Sequence, residues 1–306
     1  MRLERAEIGM HNSSVRFGHC FLGSLRMQRR ALLVAGLVIC FAEAICAADS
    51  PSAPRMLMVT QSSGYRHGSV TRKDQPLSPA ERAVTELGIS SGLYRADCTQ
   101  DCSTITKEQL DGYDLVLFYT TGNLPLKDDV RDYLINEWAK KKGHGFIGTH
   151  SATDTYLDHQ PYWEMLGGVF DGHPWKADET VTIKVHDRQH PASKPLGDEL
   201  TIQDEIYKYR NWQPEKVRVL ASLDFEKTKH REPYHVPILW VKDYGQGKVM
   251  NMSLGHNEHV WQNPKFLQSL QGGIEWMLGK QPGDATPNPE VSKAEDEKAK
   301  RLNAGG

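Results

Sequence analysis

Short apolar runs exchange with amphipathic stretches through the first half of the chain, the pattern of strands alternating with helices. Residues 56–60 (MLMVT) pass directly into QSSGYRHGS, so they read as a buried strand ending in a glycine-containing loop. A helix is expected next, with Ser78 as N-cap, Pro79 in the first turn and Glu81 completing a capping box. Ala83, Val84 and Leu87 give that helix an apolar face, and Gly88 is expected to end it. Residues 106–110 read as a short helix, and 115–119 (LVLFY) as a second buried strand running into TTGN. Residues 127–142 carry Val130, Leu134, Ile135 and Trp138 at helical spacing, after which Gly143 and Gly145 lead into the strand-like GFIGTH. Strands and helices in this order predict a parallel sheet with right-handed crossovers.

Beyond residue 170 the texture changes. The segments ETVTIKVHD, DEIYKYR, VRVLASLD, VPILWVKDY and KVMNMSLG alternate like strands, and YGQGK joins two of them as a hairpin turn. Residues 266–278 close the domain with a helix bearing Leu267, Leu270, Ile274 and Met277. Residues 280–306 are rich in Pro, Lys, Glu, Asp and Ala and are expected to form a disordered, solvated tail. One domain over 54–279 is therefore expected.

The first 48 residues stand apart. Arg29 and Arg30 precede an apolar run over 31–42 and then small residues, the layout of a secretory signal peptide cleaved near Ala47 or Ala48. The run is shorter than the roughly 20 residues that span a bilayer, so no membrane span is expected after cleavage. Met27 is a candidate start, and a periplasmic or secreted protein is expected. Of the 5 cysteines only Cys98 and Cys102 would remain, and in an oxidising compartment they are expected to form a local disulfide. Lys and Arg number 37 against 39 Asp and Glu, which gives no pull toward nucleic acid or acidic lipid; small neutral partners fit better. Homo-oligomers stay open.

Ligands of open α/β sheets collect at the carboxyl ends of the strands, so the loops after residues 60, 119 and 148 should converge. They hold Tyr65 and His67, Thr121, and His150, Ser151 and Asp154. GFIGTHSATDT has the strand-turn-helix form of an elbow that displays a nucleophile, with His150 at its tip.

GYRH (64–67), GFIGTHSATDT (145–155), GGVFDGHP (167–174), QDEIYKY (203–209) and MSLGHNEHVW (252–261) resemble, in order, the motifs of the ThuA-like (trehalose utilisation) family. That resemblance implies a class I glutamine amidotransferase-like (flavodoxin-like) fold: a three-layer α/β sandwich with a mostly parallel central sheet, here with a strand-rich C-terminal half. It also implies a role in disaccharide or keto-sugar use. His150 stands where an amidotransferase has cysteine, which argues against glutamine hydrolysis.

Histidine dominates these motifs, and its ordinary pKa suits proton transfer near neutral pH. The catalytic candidates are His150, Asp154, His173, Glu205 and His256; the substrate-binding candidates are Tyr65, His67, Thr121, Ser151, Asp171, Trp175, His259 and Trp261. Trp175 and Trp261 are chosen as faces on which a sugar could stack. Asp204 and Glu205 should lie on opposite faces of one strand, leaving Glu205 to reach the pocket. Direct glycoside hydrolysis would need two carboxylates roughly 5 to 10 Å apart, and Asp154 with Glu205 is the pair. No cofactor is implied: P-loop and G-x-G-x-x-G patterns are absent, and no H-E-x-x-H spacing marks a metal, although the imidazoles and carboxylates could hold a divalent ion. A non-catalytic carbohydrate- or protein-binding module is the alternative to an enzyme.

Overall fold

The computed structural model describes residues 53–304; the expected signal segment, with Cys20, Cys40, Cys46 and Met27, lies outside them. The chain runs β1 (Arg55–Val59), α1 (Pro79–Ser91), β2 (Arg95–Thr99), α2 (Lys107–Leu110), β3 (Leu115–Phe118), α3 (Asp128–Asn136), β4 (Gly145–Thr149) and α4 (Gln160–Leu166). Strands then follow: β5 (Val169–Phe170), β6 (Thr180–Val185), β7 (Glu199–Gln203), β8 (Tyr209–Arg210), β9 (Arg218–Leu223), β10 (Pro237–Tyr244) and β11 (Gly247–Met252). Helices α5 (Pro264–Met277) and α6 (Pro289–Ala304) end it.

A 9-stranded sheet has the order β2-β1-β3-β4-β11-β10-β9-β6-β7. β1 pairs in parallel with β2 and β3, β3 with β4, and β4 with β11; the β10–β11 hairpin then turns the remaining strands antiparallel. Side chains alternate between two cores. Met56, Met58, Leu115, Leu117, Ile147 and Met250 face one core with α1 and α5, while Leu57, Val59, Val116, Phe118, Phe146 and Val249 face the other with α3 and α4. This is the three-layer sandwich with the carboxyl ends of β1, β3, β4 and β11 opening side by side.

The capping box is present: Glu81 N–H meets the Ser78 hydroxyl at 3.3 Å, and Ser78 N–H donates to Glu81 at 2.8 Å. The helix nevertheless continues past Gly88 to a left-handed Gly92 with φ 66°. Gly88 is needed for packing instead, because a Cβ there would sit 2.7 Å from the Tyr94 carbonyl oxygen. The expected 127–142 helix stops at Asn136 and passes into a short 3-10 turn, and most of DEIYKYR is irregular, with only Tyr209–Arg210 in a strand.

The expected disulfide is also corrected, since Cys98 and Cys102 are free. Cys98 lies on β2, unrecognised in the sequence, and packs on the core under α1, while Cys102 is buried in the opposite core. The sheet separates the two sulfurs. The tail likewise carries the helix α6 in place of the expected disorder. Ala299 is buried, and the Asn288 side chain accepts from Val219 N–H at 2.7 Å and donates to the Val219 carbonyl at 3.0 Å. Among the described residues, no helix is long and apolar enough to cross a membrane.

Two predictions follow from this packing. Asn288→Ala leaves both backbone groups of a buried strand residue unpaired and should cost about 1 to 3 kcal/mol in urea unfolding. Burial lowers His186 and His190 to about 4 and His235 to about 3, from an ordinary 6.5. The unfolded chain therefore takes up protons below 6.5 that the folded chain refuses, so the thermal midpoint should fall as pH drops from 6.5 toward 4 and less steeply below. His190→Gln should flatten that decline.

Candidate functional site

β4 delivers the tip of the elbow. His150 follows it directly with φ 43°, a left-handed conformation that a non-glycine residue adopts at a cost and that the packing around it enforces. The ring is fully buried, and its Nδ1–H donates to the Ser253 carbonyl beyond β11 at 3.1 Å. A carbonyl can only accept, so Nδ1 carries a proton and Nε2 is the nitrogen that points inward. Nε2 lies 3.2 Å from His67 Nε2, 3.2 Å from His256 Nδ1 and 3.6 Å from Glu205 Oε2. His256 Nδ1 in turn is 3.0 Å from Glu205 Oε2, and His173 Nδ1 is 3.1 Å from Glu205 Oε1.

Each arm of this cluster is held from behind. The loop carrying His256 is clasped at both amides flanking that residue: the buried Asp204 carboxylate accepts from Gly255 N–H at 2.7 Å and Asn257 N–H at 3.0 Å. Tyr119 donates to the Gly255 carbonyl at 2.8 Å, Trp261 to the same oxygen at 2.9 Å, and Ser69 to the His256 carbonyl at 3.0 Å. Thr121 fixes the Tyr65–His67 loop, accepting from Gly64 N–H at 3.1 Å and donating to the Tyr65 carbonyl at 2.9 Å. Asp204 and Glu205 do diverge as expected, one bracing the loop and the other entering the site.

Charge follows the same geometry. Burial, with His150 and His256 adding to it, pushes His67 down to about 2 and so keeps it neutral. Burial alone would raise Glu205, but His150 and His256 outweigh it and hold the carboxyl well below the usual range. Asp154 makes no side-chain hydrogen bond among the described residues, and burial lifts it to about 6.

These groups open on a cavity of about 610 Å³ lined by Tyr65, His67, Asp154, His173, Glu205 and His256, with Phe170, Lys176, Ala177, Asp178 and Tyr207 completing the wall; a second hollow measures about 660 Å³. Tyr65 is 66% exposed at its mouth. The hollow of about 660 Å³, beneath α6, contains none of the candidate residues.

The cavity thus gathers His67, His173, His256, Glu205, Asp154 and Tyr65, while the fully buried His150 lies behind its lining, against His67, His256 and Glu205. Other candidates fall elsewhere. Trp175 is buried against Phe225 and donates to the His230 carbonyl at 3.0 Å, and Trp261 is buried against Tyr119; neither can stack on a ligand in this cavity. Asp171 pairs with Lys208 at 3.1 Å, and the exposed His259 lies 3.0 Å from the Gln203 carbonyl, both away from the cavity lining. Thr121 and Ser151 are both buried; Thr121 braces the Tyr65–His67 loop, whereas the Ser151 hydroxyl has no hydrogen-bond partner among the described residues. Phe170, Tyr207 and Lys176 were not singled out in the sequence as site residues. Phe170 precedes Asp171 in the GGVFDGHP motif, and that adjacency is the signal that could have found it.

Asp204→Asn should replace one of the two carboxylate contacts with a repulsive amide and cost about 1 to 3 kcal/mol, measured by urea unfolding.

The sequence profile of the ThuA family, described as trehalose utilisation, matches residues 55–277. Among solved structures, a ThuA-like protein from Bacteroides uniformis superposes with a TM-score of 0.58 at 22% identity, covering 80% of this chain and 99% of its own. One from Parabacteroides merdae gives 0.56 at 14% identity, covering 78% and 99%. No match was found among curated protein sequences. With its family profile matched over residues 55–277, this chain belongs to the ThuA family.

Proposed function

We propose that the protein is an exported enzyme that acts on a disaccharide or keto-sugar by hydrolysis or isomerisation. The observation that carries this reading is the convergence of His67, Asp154, His173, Glu205 and His256 on one cavity whose wall and mouth are aromatic. Its volume of about 610 Å³ suits a small ligand. Tyr65, Phe170 and Tyr207 offer apolar ring faces to a sugar, while the imidazoles and carboxylates offer partners for its hydroxyls. Asp154 and Glu205 line the same space in different surroundings, Asp154 without a side-chain hydrogen-bond partner among the described residues and Glu205 among imidazoles. Two carboxylates so differentiated suit the acid and base roles of glycosyl chemistry.

Family membership supports the sugar class, and the elbow supports a reaction other than glutamine hydrolysis, because His150 supplies no thiol there. Export rests on the Arg29–Arg30 pair and the apolar run that follows it.

Turnover of a panel of disaccharides and their keto derivatives tests the reading. At least one should be consumed by the wild type, and Asp154→Asn should lower kcat by about 100-fold or more with the fold intact. A well-folded wild type that binds a sugar but consumes none would leave a carbohydrate-binding module instead.

A further inference from the structure

We infer that His67, His150, Glu205 and His256 form a binding site for one divalent first-row transition ion such as zinc or manganese. The inference takes its location from the functional reading above but does not depend on the substrate. One ligand atom from each of the four residues lies within 4.8 Å of every other. In a tetrahedral zinc site, bonds of about 2.0 to 2.1 Å place neighbouring donors roughly 3.3 Å apart. The separations around His150 Nε2 are 3.2, 3.2 and 3.6 Å, and that between His256 and Glu205 is 3.0 Å. Four of the six donor–donor edges thus stand near that length, and the two from His67 to His256 and Glu205 lie within 4.8 Å.

Hydrogen-bond capacity points the same way. His150 Nε2, turned inward by the Nδ1 contact with Ser253, can make one hydrogen bond as donor or acceptor, yet it faces three polar atoms. A proton between His150 and His67 satisfies one of those contacts. A cation at their common centre satisfies all of them.

The supporting contacts are those that orient metal ligands. His150 uses its far nitrogen on a backbone carbonyl, and Glu205 turns its second oxygen to His173. The peptide units on both sides of His256 are pinned by Asp204. Imidazole with one carboxylate is a donor set for zinc, manganese or iron(II) rather than for calcium or magnesium, which favour oxygen. The cavity borders His67, Glu205 and His256, so a sugar oxygen could reach the ion from that side.

The test is calorimetric titration of chelator-stripped protein with zinc chloride and with manganese chloride, alongside elemental analysis of the purified chain. One equivalent of zinc or manganese should bind. His150→Ala and Glu205→Gln should each weaken binding by about tenfold or more, while His259→Ala, outside the site, should leave it unchanged. Glu205→Gln retains side-chain shape and decides the matter if His150→Ala does not fold. No binding by the wild type, or binding that survives Glu205→Gln but is lost in Cys98→Ser, would overturn the inference. Stoichiometric binding without sugar turnover would remove the sugar reading and leave the metal site. Turnover by a wild type that binds neither zinc nor manganese would do the reverse.

Discussion

The hydrogen bond from His150 Nδ1–H to the Ser253 carbonyl ties the end of β4 to the end of β11, and the site depends on it. It fixes the tautomer, aims Nε2 into the cluster, and holds the residue at a positive φ that few side chains adopt. The other three imidazole and carboxylate arms are arranged around that nitrogen. Their close approach in buried space would be costly if every group kept or shed protons independently, so charge and geometry have to be settled together.

The sheet makes this convergence possible. Five strands from β2 to β11 run parallel, so the loops that follow β1, β3, β4 and β11 emerge on one side. Glu205 arrives from the antiparallel half, on the segment after β7, and the neighbouring Asp204 anchors the β11 loop in return. One dipeptide thereby joins the two halves of the fold at the site. Its side chains diverge, so Asp204 stabilises position while Glu205 supplies charge to the cavity.

Much of this was legible in the sequence, and the failures have physical causes. The buried strands of the first half read correctly because both faces are covered, which leaves near-continuous apolar runs. The edge strand β2 was missed because RADCT is partly exposed and polar, and the disulfide expectation fell with it. The polar tail hid a helix because few of its residues are buried, Ala299 and Ser292 among them. Glycine and histidine in loops single out His67, His150, His173 and His256, and the fold brings these four together around Glu205. Trp175 and Trp261 were misplaced because a polar neighbourhood in sequence says nothing about which way a ring packs, and both point into the core. The four-residue cluster had no spacing signature, since each member comes from a different loop and only the fold brings them together.

X-ray absorption at the zinc edge of zinc-loaded protein tests whether these four side chains act as one inward-facing ligand set. Scattering from three imidazoles and an oxygen donor at roughly 2.0 to 2.1 Å is expected. A spectrum dominated by sulfur at about 2.3 Å, or by solvent oxygen without imidazole, would contradict it.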